Sequence, residues 1–248
     1  MATVFLSPSL QTFNAYVTGN GSEADFMGQL AEDMVPGLLL NGISFRRSGE
    51  GDTLQSAIDK SNAYGPDLHV ALHSNASPEG MEGQMQGPEI YYFKDSEQGR
   101  RAAENIASTL AEVYPYADVV EIIPTDDELA ELVRTKAPAV YIEVAYHDNP
   151  QDAAWIEANL QRIANAIVEG IAAYFSLPYT DPTSFQVGVV NIASGSLNLR
   201  AAPNLNAAVI GRLSNGDAVV VLRRQGEWVF VLTSQGAGWA AARYIALS

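Results

Sequence analysis

The first 176 residues contain five short, mostly apolar segments separated by longer amphipathic stretches. The short segments are typical of strands, and they lie at Val4–Leu6, Ile43–Arg46, Asp67–His73, Glu89–Phe93 and Ala139–Glu143. Between them, apolar residues recur at the three- and four-residue spacing of helices. Alternating strands and helices predict an α/β fold, here a three-layer sandwich with a mostly parallel mixed sheet flanked by helices.

Four helices are expected. Ser22 is a good N-cap for the first, which ends at Asn41–Gly42, Asp52 caps the second, the third runs from Ser96 to Val113, and Asn149–Pro150 starts the last. The helix that begins at Asp52 is expected to run from Thr53 to about Ala63, with Gln55 in the capping-box position. The last helix has Pro150 at its favoured first position. Its apolar residues keep helical spacing at Ile156, Leu160, Ile163, Ile167, Ile171 and Tyr174.

The pattern changes to period two after a segment of linker composition. That segment, 177–186, contains Pro178 and Pro182 together with hydroxyl and acidic side chains. Short strand-like runs follow it at 187–190, 196–200, 207–210, 218–222, 228–231 and 238–239. The sequence therefore predicts two domains, 1–176 and 187–248, of which the second is a small all-β barrel.

Composition and charge restrict the classes of function. The chain has 248 residues and a formal net charge of −15, which argues against nucleic-acid binding because phosphate contacts need a basic face. The charge is uneven: residues 188–248 hold five Arg, no Lys and two acidic residues, a balance of +3 that leaves −18 for the rest. No apolar run is long enough to span a bilayer, and the N-terminal residues do not suggest a signal peptide.

The chain has no cysteine and three histidines, so a metal site has to use histidine, carboxylate or amide ligands. His73 is expected at the carboxyl end of a strand, where α/β sheets place their ligands. His69 lies on the same strand face about 13 Å deeper, at about 3.3 Å per residue, so the two cannot hold one metal. His69 is expected to be a buried, hydrogen-bonded histidine.

Two glutamates are further candidates for chemistry. Glu143 ends an apolar strand, and a carboxylate there is costly to bury unless it is paired or functional. A structural salt bridge is the alternative for Glu143. Glu23 is expected in the first turn of a helix, where a carboxylate is favoured by the helix dipole, so its local sequence alone does not indicate a function.

Three separated motifs resemble those of the zinc-dependent N-acetylmuramoyl-L-alanine amidases. The motifs lie at 21–23, 67–75 and 138–152, in the order and spacing of that family, and the similarity runs from about Thr3 to Phe175. The resemblance implies hydrolysis of the amide bond between N-acetylmuramic acid and L-alanine of the peptidoglycan stem peptide. It also implies one bound zinc ion, with Glu23 and His73 as ligands and Glu143 as the catalytic residue that takes a proton from a metal-activated water.

The resemblance is incomplete at the first metal ligand. The family has a histidine just after strand one, where this chain has Leu10 with Gln11 beside it. The third ligand is therefore open: Gln11 could offer its amide oxygen, His147 could reach in from the strand face of Glu143, or water could fill the place. Weaker zinc affinity, a different metal and lost activity are the possible consequences. Arg134 is a candidate for binding a substrate carboxylate or sugar, with a surface role as the alternative.

Residues 187–247 resemble the bacterial SH3-like domain, on motifs at 196–203, 209–211, 216–217, 227–229 and 238–245. This resemblance implies binding to peptidoglycan peptides, and the balance of +3 suits an anionic wall polymer. Trp228 and Trp239 are expected to be core residues, as is usual in so small a barrel.

The leading hypothesis is a monomeric, metal-dependent peptidoglycan amidase that acts in the cell wall or outside the cell. The alternative is a catalytically impaired amidase fold that binds peptidoglycan or regulates another hydrolase. The absent family histidine keeps this alternative open. A peptidase with the same metal chemistry is the third hypothesis, and the order of the motifs favours it less.

Overall fold

The computed structural model describes residues 2–49, 51–126 and 129–247. It divides into two compact units, the first ending at Tyr179 and the second beginning at Thr180, with Val35–Gly42 grouped with the second. The domain limits expected at 176 and 187 lie on either side of this division, and they stay predictions. None of the helices that the structure describes is long and apolar enough to cross a bilayer.

The described residues before Tyr179 form six strands and five helices. The strands are β1 Thr3–Pro8, β2 Ser44–Arg47, β3 Leu68–Asn75, β4 Glu89–Phe93, β5 Glu121–Thr125 and β6 Ala139–Tyr146. The helices are α1 Glu23–Leu40, α2 Leu54–Tyr64, α3 Glu97–Ala111, α4 Ala130–Arg134 and α5 Pro150–Tyr174.

The six strands form one mixed sheet in the order β2-β1-β3-β6-β4-β5. Neighbouring strands are parallel except for β4, which is antiparallel to β6. The inner strands are apolar on both faces because helices cover them, as the full burial of the consecutive residues Val70, Ala71 and Leu72 illustrates. The predicted α/β fold class is confirmed. The parallel pairing of β3 with β6 brings the polar ends of both strands to the same edge of the sheet.

The start of α2 differs from the prediction. Thr53 rather than Asp52 is the N-cap, and Ser56 rather than Gln55 completes the capping box by exchanging hydrogen bonds with Thr53. Asp52 instead accepts hydrogen bonds from the Gly49 N–H and the Lys60 ammonium group. Asp52 and Thr53 are both residue types that favour N-caps, and in the folded chain the Asp52 carboxylate is occupied by these other bonds.

Two short elements, β5 and α4, were not predicted. β5 is partly exposed at the edge of the sheet and contains Pro124, so it lacks the apolar run that identifies the inner strands. α4 has five residues, which is too short for a helical period to emerge from the sequence.

The start of α5 is tied to the sheet by Asp152, which is 2% exposed. Its carboxylate accepts hydrogen bonds from the Gly87 N–H at 2.9 Å, the Tyr146 N–H at 3.0 Å and the Tyr114 hydroxyl at 2.6 Å. These bonds hold the end of β6 against the loop before β4. They also explain why an acidic residue occupies this place in the third sequence motif.

We expect Asp152→Ala to lower the free energy of unfolding by about 3 kcal/mol or more, because each of three buried donors left unpaired costs about 1–3 kcal/mol. Denaturant titration monitored by circular dichroism measures this effect. Asp59→Ala removes an exposed carboxylate from α2 and serves as the control, with an expected change below about 0.5 kcal/mol. Equal stabilities for the two variants would contradict the role given to Asp152.

From Thr180 onward, the second unit is an all-β fold. Its strands are β7 Gln186–Val190, β8 Leu197–Arg200, β9 Val209–Leu213, β10 Ala218–Gln225, β11 Trp228–Thr233, β12 Gly236–Ala241 and β13 Ile245–Leu247. They form one antiparallel sheet in the order β13-β7-β10-β11-β12-β8-β9. The predicted small all-β domain is confirmed. Trp239 is buried as expected, whereas Trp228 is only partly buried.

Candidate active site

Glu23 and His73 lie in contact at the carboxyl end of the sheet. Glu23 is the first residue of α1, and its main-chain N–H donates to the Asn14 carbonyl at 2.8 Å, which fixes the loop that precedes the helix. His73 lies in β3, two residues before the strand ends. His73 Nδ1 is 2.8 Å from Glu23 Oε1, and both side chains are buried. The fold therefore joins two predicted ligands that are 50 residues apart in sequence.

The two side chains stabilise each other's charge. Burial alone would raise the pKa of Glu23, but the hydrogen bond and charge of His73, with a further bond from Asn14, bring that pKa below its ordinary value. Burial alone would lower the pKa of His73, but its bonds to Glu131 and Glu23 and the nearby carboxylates raise that pKa to about 9. Without a metal, the pair is held together by a proton on the imidazole.

Gln11 is the third member of this contact, and Asn14 determines which way its amide faces. Glu23 as a carboxylate only accepts hydrogen bonds, so the Asn14 nitrogen must face it, at 2.7 Å from Oε2. The same nitrogen donates to Gln11 Oε1 at 3.1 Å. The Gln11 nitrogen is thereby turned toward Glu23 Oε1 and His73 Nδ1, at 3.5 Å from each. A ligand role for the Gln11 oxygen stays a prediction, and it requires the amide to rotate and leave Asn14.

Glu143 lies on β6, in register with His73 on one side and Glu89 on the other. Its Oε2 is buried and has no hydrogen-bond partner. Burial raises the pKa of Glu143 to about 8, with the His73 charge opposing the rise and the charges of Glu23 and Glu89 adding to it. No salt bridge of the kind considered as the alternative is found for Glu143 among the described residues. A partly buried carboxyl group with one unpartnered oxygen, beside the Glu23–His73 pair, is suited to proton transfer.

Glu131, on α4, links the two histidines of β3. Glu131 Oε1 is 3.1 Å from His69 Nε2, and Glu131 Oε2 is 3.5 Å from His73 Nε2. Burial would raise the pKa of Glu131, but the two histidines lower it to about 2. The expectation that His69 is a buried, hydrogen-bonded histidine is confirmed: it is fully buried, and its Nδ1 lies 2.9 Å from the Ser61 hydroxyl.

The other two predicted site residues lie apart from this contact. The His147 ring stacks on Tyr16 with 5.5 Å between centroids, and its Nδ1 is 2.8 Å from the Ser74 carbonyl oxygen. His147 follows the end of β6 rather than continuing the strand face of Glu143. Arg134 ends α4 with an exposed side chain. The roles suggested for these two residues stay predictions.

The sequence analysis missed Asn14, Glu131 and Glu89 as members of the polar network. Glu89 accepts hydrogen bonds from the Tyr91 and Tyr146 hydroxyls, each at 2.5 Å, and from the Asn75 amide at 2.9 Å. A glutamate that opens an apolar strand was a usable signal for Glu89. Glu131 gave no such signal, because it follows a run of acidic residues that is typical of a solvated loop.

A cavity of about 400 Å³ opens beside His73. Its polar lining includes Gln11, His73 and Glu131, while Leu10, Leu54 and Leu129 are among its apolar residues. The volume is in the range of small-molecule sites, and a mixed lining suits a substrate with both apolar and polar groups. In the second unit, Trp228 and Leu205 border a separate cavity of about 570 Å³ that also includes Arg224 and Arg243.

Ionisable side chains therefore gather at the carboxyl ends of β3 and β6, the edge at which α/β sheets place their ligands. Residues 12–173 match the N-acetylmuramoyl-L-alanine amidase family, and residues 195–246 match the bacterial SH3 domain. The chain therefore belongs to the N-acetylmuramoyl-L-alanine amidase family and carries a C-terminal bacterial SH3 domain. The amidase match begins directly after Gln11, the residue beside the position of the absent histidine.

Curated relatives and solved structures agree with this family. The chain is 29% identical to a probable cell wall amidase LytH of Staphylococcus saprophyticus over 137 residues, which are 54% of this chain and 44% of that protein. It is 26% identical to LytH of Staphylococcus aureus over 157 residues, which are 62% of this chain and 50% of that protein. The chain thus spans about half the length of these relatives.

Two solved structures have the same fold as the first unit. An N-acetylmuramoyl-L-alanine amidase of Clostridium difficile 630 superposes with a TM-score of 0.62 at 24% identity, covering 71% of this chain and 97% of that one. The catalytic domain of CwlV from Bacillus (Paenibacillus) polymyxa also gives a TM-score of 0.62, at 20% identity, covering 72% of this chain and all of that one. At these identities the superpositions establish the fold alone.

Proposed function

We propose that this chain hydrolyses the amide bond between N-acetylmuramic acid and L-alanine in peptidoglycan. The observation that carries this proposal is the arrangement of three side chains at one edge of the sheet: Glu23 and His73 in contact, and Glu143, with its unpartnered Oε2, in register with His73. Family membership supports the same reaction. The second unit would bring the enzyme to the cell wall, and the curated relatives are named as probable cell wall amidases.

The Glu23 and His73 side chains fit a zinc ion, and the third candidate ligand is a weak one. Glu23 Oε1 and His73 Nδ1 lie 2.8 Å apart, and the Gln11 amide nitrogen lies 3.5 Å from each, so the Gln11 amide has to rotate to bring its oxygen to this position. Carboxylate and imidazole are ordinary zinc ligands, and ligand atoms about 2.0–2.2 Å from one tetrahedral ion are separated by similar distances. The described residues include no cluster of three or more His, Cys, Asp or Glu side chains suited to a metal.

Zinc bound by Glu23 and His73 would supply Lewis-acid polarisation of the scissile carbonyl and of the attacking water. The protein's own residues account for the remaining steps. Glu143 accepts the proton of the water and returns it to the leaving amine of L-alanine, and its raised pKa suits a group that must both accept and donate. Tyr141 stacks on the His73 ring with 4.1 Å between centroids, and this contact keeps the imidazole nearly parallel to the Tyr141 ring.

Purified protein incubated with soluble muropeptides tests this proposal. We expect free stem peptide with an L-alanine amino terminus to appear, to stop appearing with a metal chelator, and to return when zinc is added in excess. Mass spectrometry of the products identifies the bond that is cut. Cleavage that is unaffected by a chelator would contradict the role of zinc, and cleavage between two amino acids would make the protein a peptidase.

A second candidate function is peptidoglycan binding without hydrolysis. The observation that favours it is the orientation of Gln11, whose amide nitrogen rather than oxygen faces the Glu23–His73 pair. Sedimentation with insoluble peptidoglycan measures binding independently of cleavage. Sedimentation without release of stem peptide, even in excess zinc, would favour this second function.

A further inference from the structure

Glu131 is a buried acid whose partners are two histidines. Its side chain is 4% exposed, and each of its two oxygens faces the Nε2 of a different ring, His69 or His73. A buried carboxylate is costly unless it is paired, and replacing a whole buried ion pair by apolar residues of similar volume is often neutral or stabilising. Stability therefore does not by itself account for this arrangement.

The chemistry of these contacts determines where the protons are. A carboxylate has no hydrogen to donate, so Nε2 of both rings must carry the hydrogen in each contact. At His69 this leaves Nδ1 as an acceptor for the Ser61 hydroxyl, which lies 2.9 Å away. At His73 the same rule gives Nδ1 a hydrogen as well in the metal-free protein, because this nitrogen faces Glu23 Oε1 at 2.8 Å. With the hydrogen on Nε2 facing Glu131, the hydrogen on Nδ1 is the one that a metal ion would replace.

We infer that Glu131 is a positioning residue that fixes the tautomer and orientation of His73, so that His73 Nδ1 is presented to the metal together with Glu23. Glu131 is not itself placed as a ligand, because it contacts the opposite nitrogen of the ring from the one that Glu23 contacts. Ligand histidines commonly donate their second N–H to a carboxylate in this way. The inference rests on the proposed metal site.

Glu131→Gln is the variant that tests this inference. Glutamine has the same shape, but one acceptor oxygen is replaced by an NH₂ group, so it cannot accept from both histidines. We expect the zinc affinity of the metal-free protein, measured by competition with a chromophoric chelator, to fall about 10–100-fold. Glu104→Gln removes an exposed carboxylate that pairs with Arg100 and is the matched control, with unchanged affinity expected.

Nuclear magnetic resonance of histidine rings provides a readout that a merely structural role would not change. The chain has three histidines, so a sample labelled with ¹⁵N-histidine gives three ring systems. In the zinc-loaded wild type we expect His69 and His73 both to carry hydrogen on Nε2. In Glu131→Gln we expect His73 to lose this single form and to populate a second tautomer.

The outcomes separate the inference from the proposed function. Wild-type protein that binds no zinc overturns the proposed metal site and this inference with it. Equal zinc affinities for the wild type and for folded Glu131→Gln would overturn the inference alone. If Glu131→Gln does not fold, the wild-type spectrum still decides, because hydrogen on Nδ1 of His73 in the zinc-loaded protein overturns the inference.

Discussion

Replacing Glu143 by glutamine is expected to lower the rate of stem-peptide release by about 10²–10⁴-fold, the usual contribution of a general acid–base residue. Glutamine keeps the size of the side chain but cannot take a proton from water. Because Glu143 Oε2 makes no hydrogen bond, the substitution breaks no hydrogen bond of that atom, and we expect the fold and the affinity for peptidoglycan to be retained. Steady-state hydrolysis of a soluble muropeptide, with sedimentation against insoluble peptidoglycan in parallel, measures both quantities.

The control for this experiment is Glu121→Gln on β5, which removes an exposed carboxylate from the same sheet. It has the same change of charge, so an effect of net charge on substrate binding would appear in both variants. A Glu143→Gln variant that hydrolyses within a few-fold of the wild-type rate would show that another group takes the proton. Loss of zinc binding together with activity would instead indicate that Glu143 is a ligand.

The parts of the fold that follow from local rules were predictable from the sequence. The inner strands β1, β3 and β6 are apolar on both faces, and the Asn149–Pro150 start of α5 carries an N-cap and a first-position proline. β5 and α4 were not predictable, because an exposed edge strand with Pro124 and a five-residue helix show no recognisable periodicity of apolar residues. Their places are determined by pairing with β4 and by packing against β6.

The candidate site was predictable where motif and strand end coincide, as they do for His73 and Glu143. The partners that orient these residues were not predictable, since their contacts join distant segments. Asn14 reaches Glu23 and Gln11 from a loop, and Glu131 reaches His73 from 58 residues further along the chain. The ligand types are visible in the sequence, whereas the direction of each hydrogen bond requires the folded chain. This matters most for Gln11, because its role as a ligand depends on which atom of its amide faces the metal.

Replacing Gln11 by histidine is expected to tighten zinc binding by more than the roughly 10–100-fold that outer-shell partners contribute, because an imidazole would join Glu23 and His73 as a third strong ligand. Gln11→Ala is the discriminating control. Since Asn14 holds the Gln11 oxygen away from the Glu23–His73 pair, its removal should change the zinc affinity by less than about tenfold, the lower end of that range. Competition with a chromophoric chelator measures both variants.

The comparison of these two variants also bears on which function the chain performs. If Gln11→Ala abolishes zinc binding, the amide oxygen already serves as a ligand after rotating away from Asn14, and the third place is filled in the wild type. If Gln11→His gains both zinc affinity and hydrolysis rate, the wild-type site is limited by its missing ligand while Glu143 and the substrate cavity are intact. If Gln11→His gains affinity but still releases no stem peptide, the limitation lies beyond the metal, and peptidoglycan binding without hydrolysis becomes the better account of the protein.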